Sequence, residues 1–173
     1  SDTVGFNILK NHPDELGITI ENSDKNQITN FKLKLLDIDH DELSIPEVDI
    51  DCILTMPSND FQRMCRDMSN ISDNLTIKYS NSSINLTCYG DFATQETVIG
   101  EATHGLVFHS KPEIEPDEPL EGKYSLKYIN LFTKSTNLSN TIEINIKNKY
   151  PLLLKYAVAN LGNITFALAP KVK

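Results

Sequence analysis

Cys52-Ile53-Leu54-Thr55-Met56-Pro57-Ser58-Asn59-Asp60-Phe61-Gln62-Arg63-Met64-Cys65-Arg66-Asp67-Met68-Ser69-Asn70-Ile71 is the stretch on which the fold turns. Cys52 to Met56 is a short run of strand-forming residues, stopped by Pro57. Ser58 is a good N-cap residue, and Asp60 falls in the first turn of the helix it would open. Phe61, Met64, Cys65, Met68 and Ile71 then recur at i, i+3, i+4, i+7 and i+10, one apolar stripe of an amphipathic helix. A strand that runs straight into a helix is the element from which the rest can be ordered.

Downstream, Leu75-Thr76-Ile77 and Ile84-Asn85-Leu86 alternate on either side of the turn Asn81-Ser82-Ser83, and Thr97–Gly100 reads as a further strand. The same order then returns. A strand over Glu121–Tyr124 leads into a helix from Ser125 to about Lys134, followed by strands at Ile142–Ile146, Leu152–Tyr156 and Ile164–Leu168, with the last hairpin turn at Asn160–Asn163. Upstream, Val4/Phe6/Ile8, Ile18/Ile20 and Phe31/Leu33/Leu35 alternate between polar turns, giving three antiparallel strands. The pattern predicts an α+β domain of two β-α-β-β-β units, preceded by the β-β-β tail of a further unit.

The 173 residues suffice for one full domain and part of a second. Composition excludes disorder, collagen and coiled coil, and no apolar run approaches the ~20 residues of a membrane-spanning helix. No signal peptide is visible. The first residues lack an initiator Met and enter a strand at once, so the chain reads as cut from a longer protein. Net charge is −8, from 24 acidic and 16 basic side chains, so any contact with nucleic acid must come from charge placement. The acids cluster in Asp37–Asp51 and in the proline-broken segment Glu113–Glu121, both of which read as solvated connectors.

Cys52, Cys65 and Cys88 form no C-x-x-C pair, which fits reduced, buried thiols and no structural zinc. Six N-x-S/T sequons, at Asn70, Asn74, Asn81, Asn85, Asn137 and Asn163, keep a secreted β-rich glycoprotein open as the alternative. No phosphate loop, H-E-x-x-H or G-x-S-x-G motif occurs. His104 and His109 read as surface loop residues, and no catalytic, cofactor or metal residues are expected. The two helix faces carry more: Gln62, Arg63, Arg66 and Asn70 lie opposite the first apolar stripe, and Lys127, Asn130 and Lys134 form a second polar stripe. Such bases are either ordinary solvated residues or a positive surface for phosphates.

Several segments resemble the proliferating cell nuclear antigen family of DNA sliding clamps. They are Leu35–Asp39 with Leu43–Glu47, similar to that family's interdomain connector; Met56–Ser69, similar to the helix after it; Tyr128–Lys134; and the ending Leu168-Ala169-Pro170-Lys171. The resemblance runs along the whole chain. It implies residues 1–35 as the last strands of an N-terminal domain, 36–51 as the connector and 52–173 as the C-terminal domain, with antiparallel sheets outside and two helices on one face. It implies a homotrimeric ring around duplex DNA, bound without sequence preference, that tethers DNA polymerase as a processivity factor and serves replication and repair. Location would be nuclear, or a viral replication compartment.

By the same resemblance Arg63, Arg66, Lys127 and Lys134 face DNA. Peptides with aromatic anchors, from polymerase and other partners, would dock at Leu43, Ile45, Pro46, Pro151, Leu168, Ala169, Pro170 and Lys171. Subunits would meet through Phe31 and Leu33 on one side and Thr97 and Ile99 on the other, with a clamp loader as a further partner and no membrane. Asn81 aligns where many such clamps carry a ubiquitin-modified lysine, and Ile50 where the connector is often aromatic.

Overall fold

A computed structural model describes residues 2–36, 48–112 and 119–171. The chain divides into two compact units, residues 1–46 and 47–173.

The first unit holds the three expected strands: β1 (Asp2–Leu9), β2 (His12–Asn22) and β3 (Gln27–Lys34), antiparallel in that order. Pairing sets Val4 opposite Ile20, which pairs with Thr29; Phe6 opposite Ile18, which pairs with Phe31; and Ile8 opposite Leu16, which pairs with Leu33. Side chains alternate across a strand, so these rows line one face. Both β1 and β3 are sheet edges.

In the second unit β4 (Cys52–Pro57) runs directly into α1 (Ser58–Met68), followed by β5 (Asn74–Ser80), β6 (Ser83–Tyr89), β7 (Thr94–Gly100) and β8 (Val107–Ser110). The second round is β9 (Glu121–Ser125), α2 (Leu126–Phe132), a 3-10 turn (Thr133–Leu138), β10 (Thr141–Ile146), β11 (Leu152–Val158) and β12 (Gly162–Leu168). The two rounds are interlocked. The strand ahead of each helix pairs with the other round: β4 lies beside β10, with Leu54 opposite Ile144, and β9 lies beside β5, with Tyr124 opposite Leu75. The result is one sheet ordered β12-β11-β10-β4-β8 and a second ordered β7-β6-β5-β9.

Alternation does the packing. Cys52, Leu54 and Met56 of β4, Leu75, Ile77 and Tyr79 of β5, Ile84, Leu86 and Cys88 of β6, and Ile142, Ile144 and Ile146 of β10 all point into one core. Phe61, Cys65 and Met68 of α1 and Leu126 and Ile129 of α2 join it. Gly90 is required for the fit: a Cβ there would stand 2.0 Å from the Ile71 carbonyl oxygen.

Four expectations need correction. Ser58 is the first residue of the helix, not its cap; Pro57 holds that place, and the buried Ser58 hydroxyl donates to the Ser139 carbonyl at 2.5 Å. The second α-helix stops at Phe132 and not near Lys134, because the chain tightens into the 3-10 turn, where Thr133 and Thr136 are buried. The strand β8 is absent from the sequence pattern; its Phe108 packs edge-on against Tyr79 with ring centroids 5.5 Å apart, tying the two sheets together. His109 accordingly sits in a strand, its Nε2 at 3.0 Å from the Thr55 hydroxyl.

Candidate nucleic-acid interface and docking surface

The helical layer is built by α1, α2 and the 3-10 turn packed side by side. Two polar side chains fasten it: Ser58 reaches Ser139, and Gln62 Nε2 donates to the Thr133 carbonyl at 2.7 Å. Asp60 in the first turn and Arg66 in the last turn of α1 complement the helix dipole. With the apolar stripes turned inward, Arg63, Arg66, Lys127 and Lys134 are all exposed.

Their electrostatic surroundings differ. Arg63 Nη2 pairs with Asp60 Oδ1 at 3.2 Å, with side chains 65% and 50% exposed; such a pair is weak and screened by salt. Lys127 Nζ lies 6.0 Å from the centre of the Tyr128 ring, at the outer limit of a cation–π contact. Arg66, Lys127 and Lys134 make no ion pair among the described residues. No acid occurs between Leu126 and Leu138. The five-stranded sheet contrasts with this. Lys147 pairs with Asp51 at 2.7 Å, Lys155 with Glu143 at 3.0 Å, and Lys111, just past β8, with Glu101 at 2.9 Å. The Lys111 hydrogen bond holds the Glu101 carboxyl below its ordinary range. Lys111, Lys147 and Lys155 are thus paired, whereas Arg66, Lys127 and Lys134 on the helical layer are not.

At the far end of the five-stranded sheet, Leu152 pairs with Leu168, which brings Pro151 beside Ala169. The tail then runs along the edge strand β9, where the Lys171 amide donates to the Lys123 carbonyl at 2.7 Å. The structure thus gathers Pro151, Leu168, Ala169, Pro170 and Lys171; Leu43, Ile45 and Pro46 lie outside the described residues. Sequence reasoning misses the tail contact with Lys123, since nothing local in the sequence marks a strand edge as taken.

The remaining residues sit on sheet edges. Phe31 and Leu33 are exposed on β3, and β7 is the outer strand of its sheet. On β7, Ile99 is partly buried against the core while Val98 points outward.

Among the described residues no group of three or more His, Cys, Asp or Glu could hold a metal, and no helix is long and apolar enough to cross a membrane. All three thiols are free and buried. Burial, with Asp51 adding to it, pushes Cys52 up to about 12, and burial alone pushes Cys65 up strongly.

Residues 44–171 match the family model described as proliferating cell nuclear antigen, C-terminal domain. The chain is 40% identical over 173 residues to the probable DNA polymerase sliding clamp 1 of Paramecium bursaria Chlorella virus 1, covering 98% of this chain and 64% of that protein. It is 36% identical over 160 residues to the proliferating cell nuclear antigen of Chaetomium thermophilum, covering 92% of this chain and 62% of that one. The chain therefore spans less than two thirds of the length of these relatives. The secreted-glycoprotein alternative finds no support among these relatives.

Proposed function

Because the chain belongs to the proliferating cell nuclear antigen family of DNA sliding clamps, we propose that it forms part of a ring that encircles duplex DNA and holds a DNA polymerase on its template. On this reading residues 1–35 end the N-terminal clamp domain, 36–51 connect, and 52–173 form the C-terminal domain. It is a non-catalytic processivity factor, working in a nucleus or at a viral replication site. Three subunits close head to tail through the free edges of β3 and β7, with Phe31 and Leu33 meeting Thr97 and Ile99, and a clamp loader opens the ring.

The observation that carries the proposal is the unpaired basic layer of Arg66, Lys127 and Lys134 on the helices of a protein whose net charge is −8. Contacts made by point charges to phosphates need no base readout, are individually weak and allow sliding. Tethering a polymerase raises its effective concentration at the primer end. Partner peptides dock where Pro151 and the tail meet, and the family resemblance assigns Leu43, Ile45 and Pro46 to the same role.

The test is retention on DNA. In the assembled ring loaded on circular duplex, Arg66→Ala with Lys134→Ala removes two phosphate contacts and flattens the log–log salt dependence by roughly 1.8, at ~0.9 per contact. Identical salt curves for variant and parent would remove these residues from the DNA surface.

A further inference from the structure

The second helix is short, and its end is held from outside. With seven residues, α2 has more than half of its carbonyls in the unpaired C-terminal set of a helix. At Thr133 the chain leaves the α-helix for the 3-10 turn. Each residue of a 3-10 turn rotates the chain by about 120°, against about 100° in an α-helix, so by Lys134 the two paths aim the side chain about 40° apart. The place where the chain changes pitch therefore decides where the Lys134 ammonium points.

Gln62 of α1 acts on that place. Its Nε2 donates to the Thr133 carbonyl at 2.7 Å in a partly buried setting. In a continued α-helix that carbonyl would accept from the Asn137 amide instead. Thr133 is itself 1% exposed, and its hydroxyl donates to the Asn130 carbonyl at 3.3 Å, so the residue ahead of Lys134 is fixed on both sides. Gln62 stands four residues before Arg66, one turn away on the same helix face. One hydrogen bond thus links the backbone beneath Lys134 to the face that carries Arg66. Neither cation makes an ion pair among the described residues. A carboxamide suits this position because it donates without charge; a glutamate would lack the donor at neutral pH and would offset the cations beside it.

We propose that Gln62 is a positioning residue of the phosphate-facing layer: by holding the Thr133 carbonyl it keeps Lys134 in register with Arg66, so that both cations meet the DNA backbone. The inference rests on the DNA reading above and adds to it a residue that acts through another side chain. If Gln62 only fastened the two helices together, its loss would disturb Arg66, Lys127 and Lys134 alike. A positioning role confines the effect to Lys134.

The experiment measures retention of the assembled ring on circular duplex across salt, with ring assembly checked for every variant. Lys134→Ala should flatten the log–log salt dependence by about 0.9, one phosphate contact. Gln62→Met keeps the length of the side chain and removes the donor; it should flatten the dependence by about half of that amount or more. In the Lys134→Ala background Gln62→Met should add nothing, whereas its effect should add in full to those of Arg66→Ala and Lys127→Ala. Gln62→Ala takes its place if the methionine variant does not assemble. An unchanged slope for Gln62→Met, a flattening that persists without Lys134 or fails to add to Arg66→Ala, or loss of assembly in both Gln62 variants would overturn the inference alone. A Lys134→Ala ring with the parent's salt curve would overturn the DNA-facing assignment of Lys134 and the inference with it.

Discussion

Phe6 and Phe31 in the three-stranded sheet are 69% and 49% exposed, whereas Phe61 in the larger unit is 1% exposed. All three belong to regular apolar patterns of the same quality. The difference lies in what covers the pattern. In residues 47–173 the apolar face of each sheet meets the other sheet or the helical layer, and exchange of β4 and β9 between the two rounds makes the enclosure mutual. Among the described residues of the first unit there are only three strands, so the face bearing Val4, Phe6, Ile8, Ile18, Ile20, Phe31 and Leu33 has no second layer within its own unit. An alternating strand specifies a face, and a fold requires something to place on it. The relatives, more than a third of whose length lies outside the match, are long enough to supply such a layer.

The largest expected contrast is in core truncation. Phe61→Ala should cost about 3–5 kcal/mol in urea denaturation, while Phe6→Ala should stay within about 0.5 kcal/mol. Equal losses would show that the first sheet is covered after all and break the comparison.

Alkaline pH comes next. Burial raises Cys52 from 9.0 and Tyr124 from 10.0, each to about 12, and raises Tyr156 as well. Because these folded-state values lie above the unfolded ones, the unfolded chain releases its protons first. The stability that these groups contribute is complete below pH 9 and is lost as pH climbs from 9 to about 12. Residues 1–46 contain neither Cys nor Tyr, so this loss belongs to the larger unit, and tyrosine fluorescence reports it alone. A transition midpoint flat from pH 8 to about 11 would contradict the burial of these groups.

Single hydroxyls give a smaller contrast. Ser58→Ala leaves the Ser139 carbonyl without its buried donor and should cost about 1–3 kcal/mol. Thr19→Val removes an exposed hydrogen bond to Asn30 in the first unit and should cost under about 0.5 kcal/mol. Thermal denaturation of the two variants side by side checks the ratio.

Much of this was legible in the sequence because its causes are local. Period-two alternation marked β1 to β3, β5, β6 and β10 to β12, and the i, i+3, i+4 stripe marked α1 and, by its opposite face, Arg63 and Arg66. The rest depends on partners distant along the chain. Nothing near Cys52 says that β4 joins β10, and a four-residue strand such as β8 carries too short a pattern to register. Thr133 reads as ordinary helix until Gln62 and Asn130 take up its carbonyl and hydroxyl. Asp60, which shares Arg63, was within reach of sequence reasoning, being three residues away on the same helix.

The central claim, that the helical layer and not the sheet faces DNA, is open to a direct measurement. Because Cys52, Cys65 and Cys88 are buried, an azidophenacyl crosslinker attached at neutral pH will label only cysteines placed on the surface. With the assembled ring loaded on circular duplex, Arg66→Cys, Lys127→Cys and Lys134→Cys should give protein–DNA adducts on illumination, and Lys155→Cys and Thr165→Cys on the five-stranded sheet should give none. Adducts from the sheet positions with none from the helices would contradict the account.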